Sequence, residues 1–131
     1  MRPDGVGLNV LILDDDVPFL GSFEDLLVQD GHTVYCATTG FEAIEMAFQV
    51  HFDLSVLDCE LPDLDGIETF LRIQKARPRL PAIFISGSCS PVLEERVLQA
   101  GGFVLLRKPL QMPLVRSVMR EVMLINKSNS S

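Results

Sequence analysis

The stretch Val10-Leu11-Ile12-Leu13-Asp14-Asp15-Asp16 is a short run of branched apolar residues that stops at three aspartates. A run in which every residue is apolar is typical of a strand buried on both faces of a parallel sheet. The aspartates would then lie just beyond the carboxyl end of this first strand. Because ligands bind beyond that end in open α/β sheets, the aspartates are candidate functional residues.

Outward from this stretch, strand-like and helix-like segments alternate along the chain. Four more short apolar segments are predicted strands, at residues 33–37, 54–57, 82–85 and 103–106. Residues at helical spacing, all apolar except Gln74, predict four helices. Their stripes are Phe19, Phe23, Leu26 and Leu27; Phe41, Ile44, Ala47 and Phe48; Ile67, Phe70, Leu71 and Gln74; and Leu114, Val118, Val122 and Ile125. A further helix is predicted between Ser90 and Gly101 from these capping residues. Five βα units predict a three-layer α/β/α sandwich on a five-stranded, parallel, doubly wound sheet.

The composition indicates one acidic globular domain. Of the 131 residues, 47% are hydrophobic and 22% charged, and 11 Lys and Arg against 18 Asp and Glu give a formal net charge of −7. This charge disfavours binding to nucleic acids and to anionic membranes. We expect residues 1–7 to be an N-terminal extension, residues 8–125 to form the domain, and residues 126–131 to be a polar tail or the start of a linker.

Two further features predict a cytoplasmic protein. No apolar run approaches the roughly 20 residues that span a bilayer, and the first residues lack the pattern of a secretory signal. The cysteines Cys36, Cys59 and Cys89 are odd in number and form no C-x-x-C pair. They are therefore interpreted as reduced thiols and not as metal ligands.

Polar residues follow four of the five predicted strands: Asp14, Asp15 and Asp16, then Asp58, Ser86 and Lys108. They meet at one edge if strands one, three, four and five lie side by side. Carboxylates brought together repel each other, which favours a divalent cation, and oxygen ligands suit Mg²⁺. A hydroxyl and a lysine opposite them could hold a phosphoryl group. These are the groups that phosphoryl transfer to an aspartate requires.

The same residues resemble the signature of the response-regulator receiver domain of two-component systems. The resemblance rests on Val10-Leu11-Ile12-Leu13-Asp14-Asp15-Asp16, Leu57-Asp58-Cys59-Glu60-Leu61-Pro62-Asp63-Leu64-Asp65-Gly66, Ile85-Ser86-Gly87 and Lys108-Pro109. It covers roughly residues 8 to 125, with the motifs in the family's order and spacing. It implies a flavodoxin-like sheet of the receiver type.

The resemblance also implies the roles of the acidic residues. Asp58 would be the phosphoacceptor, which takes a phosphoryl group from a sensor histidine kinase or a histidine phosphotransfer protein. The Mg²⁺ site would comprise Asp14, Asp15, Asp58 and the backbone carbonyl of Glu60. In this set Asp15 would bind the ion directly, and Asp14 would act mainly through water.

The phosphoryl group would be held by residues after the fourth and fifth strands. By the resemblance, the Ser86 hydroxyl and the Gly87 N–H would bond phosphoryl oxygens. Lys108 would pair first with Asp58 and then with the phosphate. Pro109 is a candidate for a cis peptide bond, which would suit a tight turn.

Leu105 departs from the family pattern, which has Tyr or Phe three residues before the lysine. The usual movement of that ring toward the hydroxyl residue is therefore in doubt. Phe103 is predicted to lie on the same face of the strand but is not an obvious substitute. We hypothesise that Leu105 and the last two helices form an apolar docking face, so that Leu105→Asp weakens a phosphorylation-dependent association.

Several polar residues have structural interpretations. Asp16 is predicted to cap the first helix and Asp65 the third. Asp63 is expected to be a loop residue, because the full spacing of a calcium loop fails at Leu61. His32 and His51 lie near strand starts and are expected at the surface. Cys59 is expected to pack as a small apolar side chain.

The leading hypothesis is a phosphorylation-controlled switch that turns over no external substrate, and thus not an enzyme in the ordinary sense. One alternative is a phosphorylation-independent docking module. Another is a phosphohydrolase, in which Glu60 would be the second acid two residues after the nucleophile. A flavodoxin-like cofactor binder would need a Ser/Thr/Gly-rich loop where this chain has three aspartates. We also expect no direct contact with nucleic acid or membrane, and hypothesise a homodimer through the last two βα units.

Overall fold

The computed structural model describes residues 7–129. Residues 1–6 of the predicted N-terminal extension and residues 130 and 131 of the predicted tail lie outside the described part. Within it, five strands and five helices alternate: β1 (Asn9–Leu13), α1 (Val17–Gln29), β2 (Thr33–Ala37), α2 (Gly40–Gln49), β3 (Leu54–Asp58), α3 (Gly66–Ala76), β4 (Ala82–Ser86), α4 (Pro91–Ala100), β5 (Val104–Arg107) and α5 (Met112–Asn129). None of these helices combines the length and apolarity that a bilayer crossing requires.

The strands form one parallel sheet in the order β2-β1-β3-β4-β5. This confirms the predicted doubly wound sheet and places β1, β3, β4 and β5 side by side. Leu13 pairs with Leu57, and the residues that follow them are Asp14 and Asp58. Asp58 in turn pairs with Ile85, the residue before Ser86. The register therefore brings the polar residues after these strands to one edge.

Two apolar cores lie on opposite faces of the sheet, since successive side chains of a strand point to opposite sides. In β1, Leu11 and Leu13 face one core, which α2, α3 and α4 cover. Val10 and Ile12 face the other core, which α1 and α5 cover. Because both faces are covered, the central strands are mostly apolar, and Ser55 is the buried polar residue inside β3.

Four helices begin at a capping side chain, as predicted for Asp16, Asp65 and Ser90. The side chains of Asp16, Thr39, Asp65 and Ser90 each accept a hydrogen bond from the backbone N–H three residues later. These bonds satisfy N–H groups that have no partner within the helix. At the other end of α4, Gly101 has a φ of 95°, a left-handed conformation that favours glycine.

The predicted apolar stripe of α2 was wrong in part. Phe41 is 57% exposed and Phe48 is 55% exposed, whereas Ala43 and Ala47 are buried. The helix lies close to its neighbours at Gly40, where an added Cβ would overlap the Thr69 hydroxyl. Small residues therefore face the core, because a large ring would not fit between α2 and the layer beneath it.

The predicted stripes of two other helices were right in part: Ile67 and Phe70 of α3 and Val118 and Val122 of α5 are buried. In α3 the predicted Leu71 is exposed, and Ile73 is fully buried in its place. In α5 the predicted Leu114 and Ile125 are exposed. Among the α5 side chains that the structure describes, Val115 and Met119 are also buried, and they pack beside the predicted Val118 and Val122.

The last strand and helix shift relative to the predictions. β5 begins at Val104, one residue later than predicted. Phe103 packs against the core under α1 and α5, while Leu105 packs against the opposite core, so the prediction that they share a face was wrong. The backbone of α5 continues to Asn129, past residue 126, where the polar tail was predicted to begin.

Candidate functional site

The acidic residues after β1 have different environments. Asp14 is fully buried, and its Oδ1 accepts a hydrogen bond from the Asp16 N–H at 2.9 Å. Asp15 is exposed beside it. The chain after β1 thus places the Asp14 carboxylate inside the edge of the sheet and the Asp15 carboxylate in solvent.

Asp58 is the last residue of β3 and is only 5% exposed. Its Oδ1 accepts a hydrogen bond from the Glu60 N–H at 3.0 Å, and its Oδ2 lies 3.4 Å from Lys108 Nζ. Gly66 closes the loop that follows, since its N–H donates to the Cys59 carbonyl at 3.3 Å. An added Cβ at Gly66 would overlap the Asp58 carbonyl oxygen, so only glycine permits this approach.

Lys108 reaches the two buried carboxylates from the end of β5. Its Nζ lies 2.5 Å from Asp14 Oδ2, closer than to Asp58, although the sequence prediction paired it first with Asp58. The ammonium also lies 4.5 Å from the centroid of the Phe19 ring, a cation–π distance. The backbone is fixed by the Lys108 N–H, which donates to the Ser86 carbonyl at 2.9 Å, and the Lys108–Pro109 bond is cis.

Phe19 was not predicted to belong to the site. Its spacing assigned it to the core stripe of α1, and it does pack partly against that core and against Phe23. One turn into α1, however, the ring also faces the acidic edge. The only available signal was its position a few residues after Asp14, which does not show where the ring points.

The carboxylates can converge on one ion. Ligand oxygens of Asp14, Asp15 and Asp58 lie within 4.8 Å of one another. An all-oxygen set with one exposed member, Asp15, fits a hard divalent cation that keeps several waters. The donor chemistry is thus compatible with the Mg²⁺ that the resemblance implies.

Ser86 is buried on the other side of Asp58 and is already hydrogen-bonded. Its hydroxyl donates to Glu60 Oε1 at 2.8 Å and accepts from the Ser88 N–H at 3.0 Å. The receiver hypothesis used only the backbone carbonyl of Glu60, and the phosphohydrolase alternative used its side chain as a second acid. Neither predicted the bond to Ser86. The position of Glu60 two residues after Asp58 was a signal, but the direction of a flexible side chain does not follow from spacing.

Burial and neighbouring charges shift the ionisation of the site. Loss of hydration raises the pKa of Asp58 to about 6, with the Asp14 charge adding to this and the Glu60 N–H and Lys108 opposing it. The pKa of Lys108 is raised because its two carboxylate partners outweigh the burial that acts to lower it. Asp58 is therefore largely ionised at neutral pH and protonates in mild acid.

The remaining predicted residues occupy varied positions near this edge. Gly87 is exposed, and an added Cβ there would meet nothing within 4 Å. Leu105 is partly buried against the core and is not an exposed residue. Cys59 is buried as expected, and loss of hydration raises the pKa of its thiol to about 12.

The loop between β3 and α3 makes a contact that the sequence did not predict. The Asp63 carboxylate accepts hydrogen bonds from the N–H groups of Gly40 at 3.1 Å and Phe41 at 3.2 Å. These donors lie at the start of α2, where a negative charge is favourable. They outweigh desolvation and lower the pKa of Asp63.

Comparison with known proteins shows the family of the chain. A family model described as the response regulator receiver domain matches residues 10–120. The transcriptional regulatory protein ZraR of Klebsiella oxytoca is 28% identical over 119 residues, which cover 91% of this chain and 27% of that protein. The polar-differentiation response regulator DivK of Brucella ovis is 28% identical over 107 residues, which cover 80% of this chain and 87% of that protein.

Among solved structures, a CheY-like response regulator receiver domain protein from Methanospirillum hungatei JF-1 superimposes with a TM-score of 0.90. It is 27% identical, and the match covers 95% of this chain and 99% of that chain. The chain thus spans about a quarter of the length of the ZraR relatives it matches and most of the length of DivK.

Proposed function

The chain belongs to the response-regulator receiver family, and from this membership we propose that it is a phosphorylation-controlled switch whose phosphoacceptor is Asp58. Receiver domains are in general signal transducers and not enzymes. The observation that carries the proposal is the position of the Asp58 carboxylate. It lies at the sheet edge between two further aspartates, a lysine and a serine hydroxyl.

In the proposed reaction, an ionised Asp58 oxygen attacks the phosphorus of a phosphohistidine in a sensor histidine kinase or a phosphotransfer protein. The new O–P bond forms as the P–N bond breaks, and the imidazole keeps the electron pair and takes a proton from solvent. Lys108 would then pair with the phosphoryl oxygens. The Ser86 hydroxyl and the Gly87 N–H would donate further hydrogen bonds to them.

The Mg²⁺ site proposed here comprises the carboxylates of Asp14, Asp15 and Asp58 and the backbone carbonyl of Glu60. When bound, Mg²⁺ supplies positive charge that offsets the carboxylates and the phosphoryl oxygens. The groups of the chain itself position the acceptor and the lysine. Asp14 holds Lys108 near the acceptor, and the Glu60 N–H fixes one oxygen of Asp58.

The biological setting follows from the same proposal. Residues 8–125 would be the receiver unit, acting in the cytoplasm, where histidine kinases present their phosphohistidine. The net charge of −7 argues against direct contact with nucleic acid or an anionic membrane. A homodimer through the last two βα units and a docking role for the face near Leu105 remain part of this proposal.

Intact mass tests the proposal. The protein is incubated with acetyl phosphate, with and without Mg²⁺, as wild type and as Asp58→Asn. We expect a Mg²⁺-dependent gain of one phosphoryl group that Asp58→Asn abolishes and that Asp25→Asn, an exposed aspartate of α1, leaves intact. No gain in a folded wild-type protein would contradict the proposal and favour the phosphorylation-independent docking module.

A further inference from the structure

Two consecutive hydrogen bonds hold the Ser86 side chain. The Ser88 N–H donates to Ser86 Oγ at 3.0 Å, and the Ser86 hydroxyl donates to Glu60 Oε1 at 2.8 Å. A serine hydroxyl has a single proton to donate. Since Ser86 is fully buried, that proton is committed to Glu60 in this structure.

We propose that Glu60 is a positioning residue, whose carboxylate holds the Ser86 hydroxyl away from the phosphoryl site until Asp58 is modified. This inference rests on the proposed function, because it is a phosphoryl group at Asp58 that would compete for the Ser86 proton. To bind that group, Ser86 must break its bond to Glu60. The bond to Glu60 therefore sets how readily the site changes state.

The Glu60 side chain can release Ser86 while its backbone stays in place. The Glu60 N–H donates to Asp58 Oδ1, and this bond holds the Glu60 backbone beside the acceptor carboxylate. The residue itself is exposed, so a released carboxylate enters water without a desolvation cost. The Ser86 side chain cannot move into water in this way, because it lies at the buried end of β4.

Removal of the carboxylate should make binding at Asp58 easier. A hydrogen bond to a charged acceptor is stronger than one to a neutral acceptor. Glu60→Ala loses the acceptor and Glu60→Gln keeps a neutral one, so the effect of Gln should be intermediate. Glu94→Gln is a matched control, since it removes one charge from the exposed first turn of α4.

The first measurement needs no phosphodonor and no metal. The Ser88 amide donates to Ser86 Oγ, so its NMR resonance reports the position of the hydroxyl. In the unmodified protein we expect Glu60→Ala to shift this resonance and Glu60→Gln to shift it less. Glu94→Gln should leave it unchanged. A Ser88 resonance identical in wild type and Glu60→Ala would overturn the inference.

The second measurement is a titration with beryllofluoride in the presence of Mg²⁺, which mimics the aspartyl phosphate. We expect Glu60→Ala to bind about tenfold more tightly than wild type. In a Ser86→Ala background the same substitution should have no effect, because Glu60 would act through the serine. Equal tightening in both backgrounds would overturn the positioning role and indicate a charge effect alone.

The two proposals fail in different ways. If wild type binds beryllofluoride and the Glu60 variants bind it equally well, the inference is wrong and the proposed function stands. If wild type does not bind beryllofluoride, and acetyl phosphate adds no mass, the proposed function itself is wrong.

Discussion

At the scale of single residues, Lys108 contacts three groups at once. Its ammonium lies against Asp14 and Asp58 on one side and over the Phe19 ring on the other. The carboxylates supply attraction, and the ring limits the positions that a flexible lysine stem can adopt. Phe19 should therefore help to keep the ammonium beside the acceptor.

Replacing the ring tests this role. Phe19→Leu should slow Mg²⁺-dependent phosphorylation by acetyl phosphate about two- to fivefold, since a cation–π contact at a partly exposed site contributes about 0.5–1 kcal/mol. Phe19→Tyr keeps the aromatic face and should react at nearly the wild-type rate. The initial rate of mass gain measures both. Equal rates for Leu and Phe at this position would show that the ring does not position Lys108.

Burial of the ionised Asp58 should cost stability. The folded pKa of about 6 exceeds the ordinary value of 3.8, so this group makes the folded state less stable as pH rises through that window. Asp58→Asn should raise the free energy of unfolding by about 1–2 kcal/mol near pH 7.5, and by less near pH 5. Urea unfolding without Mg²⁺ measures this. A gain of the same size at both pH values would contradict it.

At the scale of elements, the loop from β3 to α3 connects the acceptor to two helices. Asp63 bonds the start of α2, and Gly66 begins α3 against the Asp58 carbonyl. The loop therefore has little freedom to move without changing Asp58. The close approach to the Asp58 carbonyl is the physical reason for a glycine at position 66.

Two glycines near the site should respond differently to alanine. Gly66→Ala should lower the free energy of unfolding by about 1–3 kcal/mol, because the new Cβ overlaps backbone that cannot easily shift. Gly87→Ala should change it by less than about 0.5 kcal/mol, because its Cβ would enter open space. Chemical unfolding of the two variants compares them directly. A Gly66→Ala protein as stable as Gly87→Ala would contradict the close approach.

Particular elements show what the sequence could predict. β1, β3 and β4 were placed within one residue, because a short, mostly apolar run bounded by polar residues has few alternatives. The buried face of α2 was wrong in part, since hydrophobic spacing favours Phe41 and Phe48 while close packing selects Ala43 and Ala47. The distance between packed layers cannot be predicted from the spacing of apolar residues along one helix.

Some features of the site could likewise be predicted from the sequence, and others could not. Residues at strand ends, such as Asp14, Asp58 and Ser86, were predicted to converge because parallel strands share an edge. The contacts of Phe19 and of the Glu60 side chain were not predicted. They depend on rotamers and on neighbours distant in sequence, and neither has a periodic signal.

At the scale of the whole molecule, the acidic edge should couple metal binding to folding. A ligand that binds only the folded state stabilises it by mass action. At Mg²⁺ about tenfold above its dissociation constant, the gain is about 1.4 kcal/mol, or roughly 3–5 °C in Tm. Asp15→Asn should lose most of this gain with little change in Tm without Mg²⁺, because Asp15 is exposed.

Thermal unfolding with and without Mg²⁺ measures that effect. Asp25→Asn, which removes a charge from α1 away from the acidic edge, should keep the full rise in Tm. An equal loss in both variants would indicate general charge screening and not a site at the sheet edge.

Mapping the modified residue shows whether Asp58 receives the phosphoryl group. Protein treated with acetyl phosphate and Mg²⁺ is reduced with borohydride, which converts an aspartyl phosphate to homoserine, and its peptides are sequenced by mass spectrometry. We expect homoserine at position 58 and at no other aspartate. Homoserine at position 14 or 15, or at no position in a folded protein, would show that Asp58 is not the phosphoacceptor.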